Sequence, residues 1–393
     1  MLLKPRRVRG NPLKIGSPVQ FDCYDQTGRL LLKKGYIVET QNQVTSLLNH
    51  GLYRVDFSNE LEDTIPTKEV TSINISSPFR LLNDFNERLK RLFHDLNNET
   101  RIILNQETET FTERVMEMAK VIQKLCRADS DALLGKIHLD NSERYSILHP
   151  LHRAIVSELL AIRENIPEQI RLHLIAASLT CDMSIQKLQD VLVCQKGPLE
   201  PHQRQIIASH PVDTVNLLKS LGVSNPVWLT TIIQHHEQLN GNGYPYGLSG
   251  HEITSLSRIL KLADMYTAMT SARTYRKALL NTSTMRDILL RRGSEIDEDL
   301  AVSIIKVIGI YPPGAFVKLM NGDIAIVIRR SSNPKTPFVK ALMDIRGALY
   351  KIPVKRKTDY GDYQIHDVID HKDIIHVDMH KLINLHKLWD YQI

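Results

Sequence analysis

Cysteine is scarce in this chain of 393 residues: there are four, Cys23, Cys126, Cys181 and Cys194, far apart and with no CxxC pair. That excludes a disulfide-stapled scaffold and a zinc knuckle, and makes reduced thiols in the cytoplasm the economical expectation. Long hydrophobic runs are missing too. No stretch approaches the ~18 apolar residues that span a bilayer, and Pro5, Pro12 and scattered charges stand where a signal peptide would carry its apolar core. Aromatics are few, at 6%, and neither sign of charge dominates: 50 Lys+Arg against 44 Asp+Glu, a net of +6. Part of that excess lies in the first ten residues, "MLLKPRRVRG", read as a solvated terminus with contact to an anionic partner as the alternative. With so small an excess and no groove-reading motif, no nucleic-acid partner is expected.

What is present is an ordinary globular composition, 42% apolar and 24% charged, in a chain long enough for two or three domains. Residues 1–60 read as a small α+β module: "SPVQFDCYD" and "GRLLLKKG" as strands about a "DQTG" turn, "TQNQVTSLLNHG" as a helix capped by Thr40 and Gly51, and "LYRVDF" as a further strand. Residues 61–77 are polar and read as a linker. Within 78–128, Leu81, Phe85, Leu89, Leu92, Phe93 and Leu96 recur at helical spacing, and a second helix is expected from about Glu107 to Cys126. This pair is either a helical hairpin on its own domain or a stalk through which two copies form a homodimer. Residues 142–310 are nearly all helical. Residues 311–393 turn β-rich, with "AFVKLMNGDIAIVIRR" as a hairpin about Asn321-Gly322. The histidine-rich tail "HKDIIHVDMHKLINLHKLW" completes no metal spacing and reads as surface. The fold class expected is therefore mainly α, with an α+β module before the helical domain and a β-rich extension after it.

Residue types that carry chemistry gather between His149 and Lys277. His210 precedes a proline, His235 and His236 are adjacent, and Asp264 lies in the helix "SRILKLADMYTAMT". Adjacent histidines diverge by about 100° on a helix, so one pair can serve two metals, or a metal and a substrate. Imidazole and carboxylate together suit iron, manganese or zinc. Two such ions about 3.5–4 Å apart clamp both oxygens of a phosphoryl transfer. Arg273, Arg276 and Lys277 in "ARTYRKAL" can neutralise phosphate.

"HHEQLNGNGYPYGLSGHEI", followed by "SRILKLADMYTAMTSARTYRKAL" and preceded by "GPLEPHQRQIIASHP", resembles the signature of the HD-GYP family of bacterial cyclic di-GMP phosphodiesterases. The likeness covers about residues 142–310. It implies an all-helical HD fold with two or three divalent metals, iron or manganese, and cyclic di-GMP as the ligand. Carried over by position, the metal ligands are His210, His235, His236 and Asp264, with His149 as a further ligand and His152 as its alternative. Gly241, Gly243, Tyr244 and Pro245 match the turn that names the family. Arg273, Tyr275 and Arg276, with Lys277, match a substrate-side segment. Other signalling proteins are implied as partners through the loop face, with Tyr244, Tyr246 and Leu248 as contacts. The alternative is that Tyr244 and Pro245 only fix the loop.

The chain departs from the family at its name-giving dyad. Where the family has "LLHDIGKI", this chain has "SLTCDMSI". Thr180 stands for the histidine, Cys181 for the aspartate, Met183 for the glycine and Ser184 for the lysine; Asn240 replaces the loop's aspartate. The lost aspartate would bridge two metals. Cys181 offers a single soft donor, and Asp182, one residue on, is rotated by about 100° and reaches the site only where the helix deforms. The remaining ligands suffice for a mononuclear site, incomplete or empty relative to the family. Three readings follow: a signalling protein that binds cyclic di-GMP or a partner with little turnover; an active metal-dependent phosphodiesterase using Asp182 or Cys181, releasing linear dinucleotide or GMP; and an interaction scaffold.

Overall fold

A computed structural model describes residues 6–7, 13, 15–19, 23–24, 30–32, 35–49, 53–54, 78–97, 110–140, 142–271, 281–359, 361–369 and 388–391. The chain divides into two compact units, Met1–Asn74 and Ile75–Ile393.

In the first unit, β1 (Arg6–Arg7), β2 (Cys23–Tyr24), β3 (Leu30–Leu32) and β4 (Tyr53–Arg54) form an antiparallel sheet in the order β1-β4-β2-β3, with helix α1 at Gln41–Asn49. Thr40 caps α1: its hydroxyl accepts from Gln43 N at 3.3 Å while Gln43 Oε1 accepts from Thr40 N at 3.1 Å. Leu13, Val19, Val38 and Val44 make the small core.

The second unit begins with α2 (Pro78–Asn97) and α3 (Phe111–Leu139). Thr110 and Glu113 form a reciprocal capping box at the start of α3. The apolar face of α2, with Leu82, Phe85, Leu89, Leu92 and Phe93, is buried with Val115, Met118 and Ile122 of α3 in the main core. The face that the spacing offered as a seam between subunits is thus covered within this chain. α3 also runs on past Cys126, across a break at Asp129 (φ −158°, ψ 86°). There the aspartate accepts from Ala132 N and from Arg329, restarting the helix as a cap does.

Behind these helices lie α4 (Tyr145–Arg163), α5 (Glu168–Thr180), α6 (Gln186–Cys194), α7 (Pro201–Ser220), α8 (Pro226–Ile233), α9 (Ser255–Thr270), α10 (Asn281–Leu290) and α11 (Glu298–Ile308). α4 is buried along most of its length and packs on α3, α5 and α9. That central helix has almost no solvent face, so any polar group it carries must find partners inside.

The chain closes with β5 (Phe316–Leu319), β6 (Ile324–Arg329), β7 (Phe338–Met343), β8 (Leu349–Lys357) and β9 (Ile365–Ile369), an antiparallel sheet in the order β8-β7-β6-β5-β9. β5 and β6 pair as a hairpin about Asn321-Gly322, with Gly322 at φ +88°. Phe79, Ala132, Phe316, Ile326 and Trp389 share a second core that fastens the sheet to α2 and α3. Gly135 makes this fit possible, because a Cβ there would come within 2.2 Å of the Trp389 ring. The whole is mainly α with a small C-terminal sheet.

Candidate metal and nucleotide site

The site forms where α4, the end of α5, α7, the chain after α8, and α9 converge. α5 stops at Thr180. Its hydroxyl donates back to Ala176 O at 2.7 Å and accepts from Trp228 Nε1 at 2.9 Å, so it is tied into the core. Cys181 closes the helix, Asp182 leaves it (φ −104°, ψ 13°), and Met183–Ile185 follow as a 3-10 turn. This turn is the local deformation that Asp182 needs, and its carboxylate comes into the site. Ser184 holds the turn to α7 through His210 O at 3.2 Å and Thr214 Oγ1 at 2.8 Å.

His210 of α7 and His235, two residues past α8, meet with their Nε2 atoms 3.4 Å apart. Each ring is oriented by a carbonyl: His210 Nδ1 donates to Ile207 O at 2.6 Å, and His235 Nδ1 to Ile232 O at 2.5 Å. In the neutral rings both Nε2 atoms therefore present lone pairs to each other. Asp182 Oδ1 lies 3.4 Å from His210 Nε2. The His236 ring lies tilted against His235 with centroids 3.9 Å apart and stacks against Tyr244 at 4.7 Å. Burial, with the neighbouring His210, pushes His235 down to about 4, and burial with His235 holds His236 well below the usual histidine range. Neutral imidazoles with bare nitrogens are the ligand form.

On the other side of Asp182, His149 Nε2 is 3.0 Å from Asp264 Oδ1. Between the two carboxylates stands Arg153 of α4, which sequence reasoning missed. Its side chain is fully buried, and Nη1 donates to Asp182 Oδ2 and to Asp264 Oδ1, both at 2.6 Å, while Nε donates to Ser178 O at 2.9 Å. Burial alone would pull the guanidinium down, but the Asp182 and Asp264 carboxylates outweigh it and keep it charged. Likewise burial pushes both carboxyls up, and Arg153 holds Asp182, and His149 with Arg153 holds Asp264, below the usual carboxylate range. The available signal for Arg153 was its place four residues after His149, hence on the same face of the helix.

Among the described residues, three groups bring potential ligand atoms within 4.8 Å of one another: His210, His235 and His236; Cys181, Asp182 and His235; and His149, Asp182 and Asp264. His149 rather than His152 joins them. The first fits an ion, and in the second the buried Cys181 thiol leaves Asp182 and His235 as the donors. Two nitrogens bonded to one tetrahedral ion at about 2.1 Å stand roughly 3.4 Å apart, which is the His210–His235 separation. The third does not fit, because Arg153 already contacts an oxygen of each carboxylate. Cys181 is wholly buried, and burial, aided by Asp182 and Asp264, pushes its thiol well up despite Arg153.

The loop after His236 is held by Glu237. Its Oε1 accepts from Tyr246 N at 2.7 Å and its Oε2 from Leu248 N at 3.0 Å, and the residue is buried. This clamp was also missed; the signal was a carboxylate directly before a glycine-rich turn. Gly243 passes so close to the clamp that a Cβ would lie 2.4 Å from Gln238 N and Glu237 Cα. Gly241 sits at φ +79°, and Tyr244-Pro245 is a cis peptide. Tyr244 faces His236, whereas Tyr246 is 59% exposed. Arg273, Tyr275, Arg276 and Lys277 lie outside the described residues.

The HD domain family model matches residues 136–300, which contain every group named above. The chain is 26% identical over 228 residues to a cyclic di-GMP phosphodiesterase of Pseudomonas aeruginosa, covering 58% of this chain and 54% of that protein. It is 24% identical to the 3'3'-cGAMP-specific phosphodiesterase 3 of Vibrio cholerae serotype O1, covering 58% of this chain and 50% of that one. It is 31% identical over 146 residues to the cyclic di-GMP phosphodiesterase response regulator RpfG of Xanthomonas campestris pv. campestris, covering 36% of this chain and 37% of RpfG. The match spans about half the length of the first two. The resemblance to the HD-GYP family stands on these relatives. Among the described residues no helix is long and apolar enough to cross a membrane.

Proposed function

We propose that this chain is a cyclic di-GMP signalling protein of the HD-GYP kind that binds the dinucleotide at the loop face and hydrolyses it little or not at all. One observation carries the reading: at the two positions that the resemblance gives to the dyad, the side chains are taken up by the core. Thr180 turns its hydroxyl into the core, and Cys181 remains a buried neutral thiol. The binding side, by contrast, is kept. The loop is clamped by Glu237, Tyr244 stacks over the histidine cluster, and the sequence adds Arg273, Arg276 and Lys277 for the phosphates.

When bound, a divalent ion, iron or manganese in this reading, supplies positive charge and an acidified water. His210, His235, His236 and Asp182 would hold it. Tyr246 is the exposed contact for a protein partner. A second reading, an active phosphodiesterase, is favoured by the Asp182 carboxylate reaching His210. The two are separated by measuring cyclic di-GMP binding and product formation on one preparation, with His235→Ala as control. Binding without His235-dependent product supports the first, and His235-dependent product the second.

A further inference from the structure

We propose that the Arg153 guanidinium takes the place of a second metal ion, so that the site holds one ion beside a built-in organic cation. The inference rests on the reading above that the histidine cluster is a metal-holding site, and adds the number of ions it holds and the reason.

Two carboxylates face one another across a point on the α4 face, and a buried pair of that kind demands positive charge between them. A single nitrogen, Arg153 Nη1, meets that demand at 2.6 Å from each. Nε is anchored on Ser178 O, so the guanidinium is held from its far side as well and does not swing out. Formal charge agrees. Asp182 and Asp264 carry two negative charges, Arg153 neutralises one, and one divalent ion on His210, His235 and Asp182 leaves the cluster at +1. A second divalent ion would sit against the guanidinium and share both its carboxylate oxygens.

The substitution alters what the site can do. An ion in that position would bind and acidify water, and a guanidinium has no open coordination position and loses no proton near neutrality. It does keep donors. Arg153 Nη2 is buried and has no hydrogen-bond partner among the described residues. The arrangement therefore supplies positive charge between the carboxylates without activating a nucleophile.

The test is metal stoichiometry. Protein stripped of metal is titrated with Mn2+, and bound ion is counted by equilibrium dialysis, with the paramagnetic resonance signal recorded at saturation. The wild type is expected to take one equivalent, with the spectrum of an isolated Mn2+. Two equivalents, or none, overturn the proposal. Arg153→Met, similar in length and uncharged, is expected to take a second equivalent and show spin coupling between the two ions; a folded variant that still takes only one ion also overturns it. Should the variant not fold, the wild-type count decides alone. Protein that holds one Mn2+ but fails to bind cyclic di-GMP would remove the functional reading and leave this one standing.

Discussion

Trp228 donates its indole N–H to the Thr180 hydroxyl at 2.9 Å, fixing Thr180 as part of the core. Thr180→Val keeps the shape and leaves that buried N–H without an acceptor. The expected cost is about 1–3 kcal/mol, read in denaturant unfolding, with Mn2+ binding unchanged. Loss of metal from a folded Thr180→Val protein would show that Thr180 serves the site after all.

Asp182 and Cys181 are adjacent but are assigned opposite roles. Asp182→Asn removes the charge facing His210 and half the compensation of Arg153. It should lose most metal affinity and destabilise by about 3–5 kcal/mol, as when one partner of a buried ion pair is removed. Cys181→Ala should keep the ion. Metal analysis after gel filtration checks both, and retention in Asp182→Asn with loss in Cys181→Ala would reverse the assignment.

The loop clamp is testable without touching the histidines. In Glu237→Gln one of the two accepting oxygens becomes an amide that faces an N–H, so Tyr246 N or Leu248 N loses its partner. About 1–3 kcal/mol of loop order goes with it, and cyclic di-GMP affinity should fall by roughly 10-fold or more. Gly243→Ala, whose Cβ would press on the Glu237 and Gln238 backbone, should act in the same direction. Calorimetric titration checks both variants, and unaltered affinity in each would detach the loop from nucleotide binding.

Asp129 gives a pH signature far from the histidines. Burial pushes its carboxyl up, but hydrogen bonds from Arg329, Tyr391 and Ala132 N outweigh this and hold it below the usual range. A carboxyl depressed in the folded state stabilises fully above its unfolded value, about 3.9, and the contribution is lost as pH falls below that. Asp129→Asn should therefore be less stable than wild type by about 1–3 kcal/mol near pH 7, with the gap closing below about pH 4. A gap that stays constant down to pH 2.5 would contradict the pairing.

Much of this architecture is legible before any coordinates. The 3.6-residue period of Phe85, Leu89 and Leu92 announces α2, and Asn321-Gly322 announces the β5–β6 hairpin. Yet the same period serves a helix buried in its own core or in a second subunit, so it leaves the hairpin and the stalk as equal alternatives. The histidines were legible as residue types. The reach of Asp182 was not, since it depends on where α5 ends, and the Thr180 back-bond and the turn after it are tertiary events. Arg153 was the least legible. A lone arginine in a helix ordinarily snorkels to solvent, and only the burial of α4 on every side turns it into the cation between two aspartates.

The central claim is that the site binds cyclic di-GMP and scarcely cleaves it. Protein loaded anaerobically with iron or manganese should be incubated with radiolabelled cyclic di-GMP, and bound nucleotide and released product followed together. The account predicts saturable binding with no product above that of His235→Ala. Multiple turnovers to linear dinucleotide or GMP that vanish in His235→Ala would contradict it.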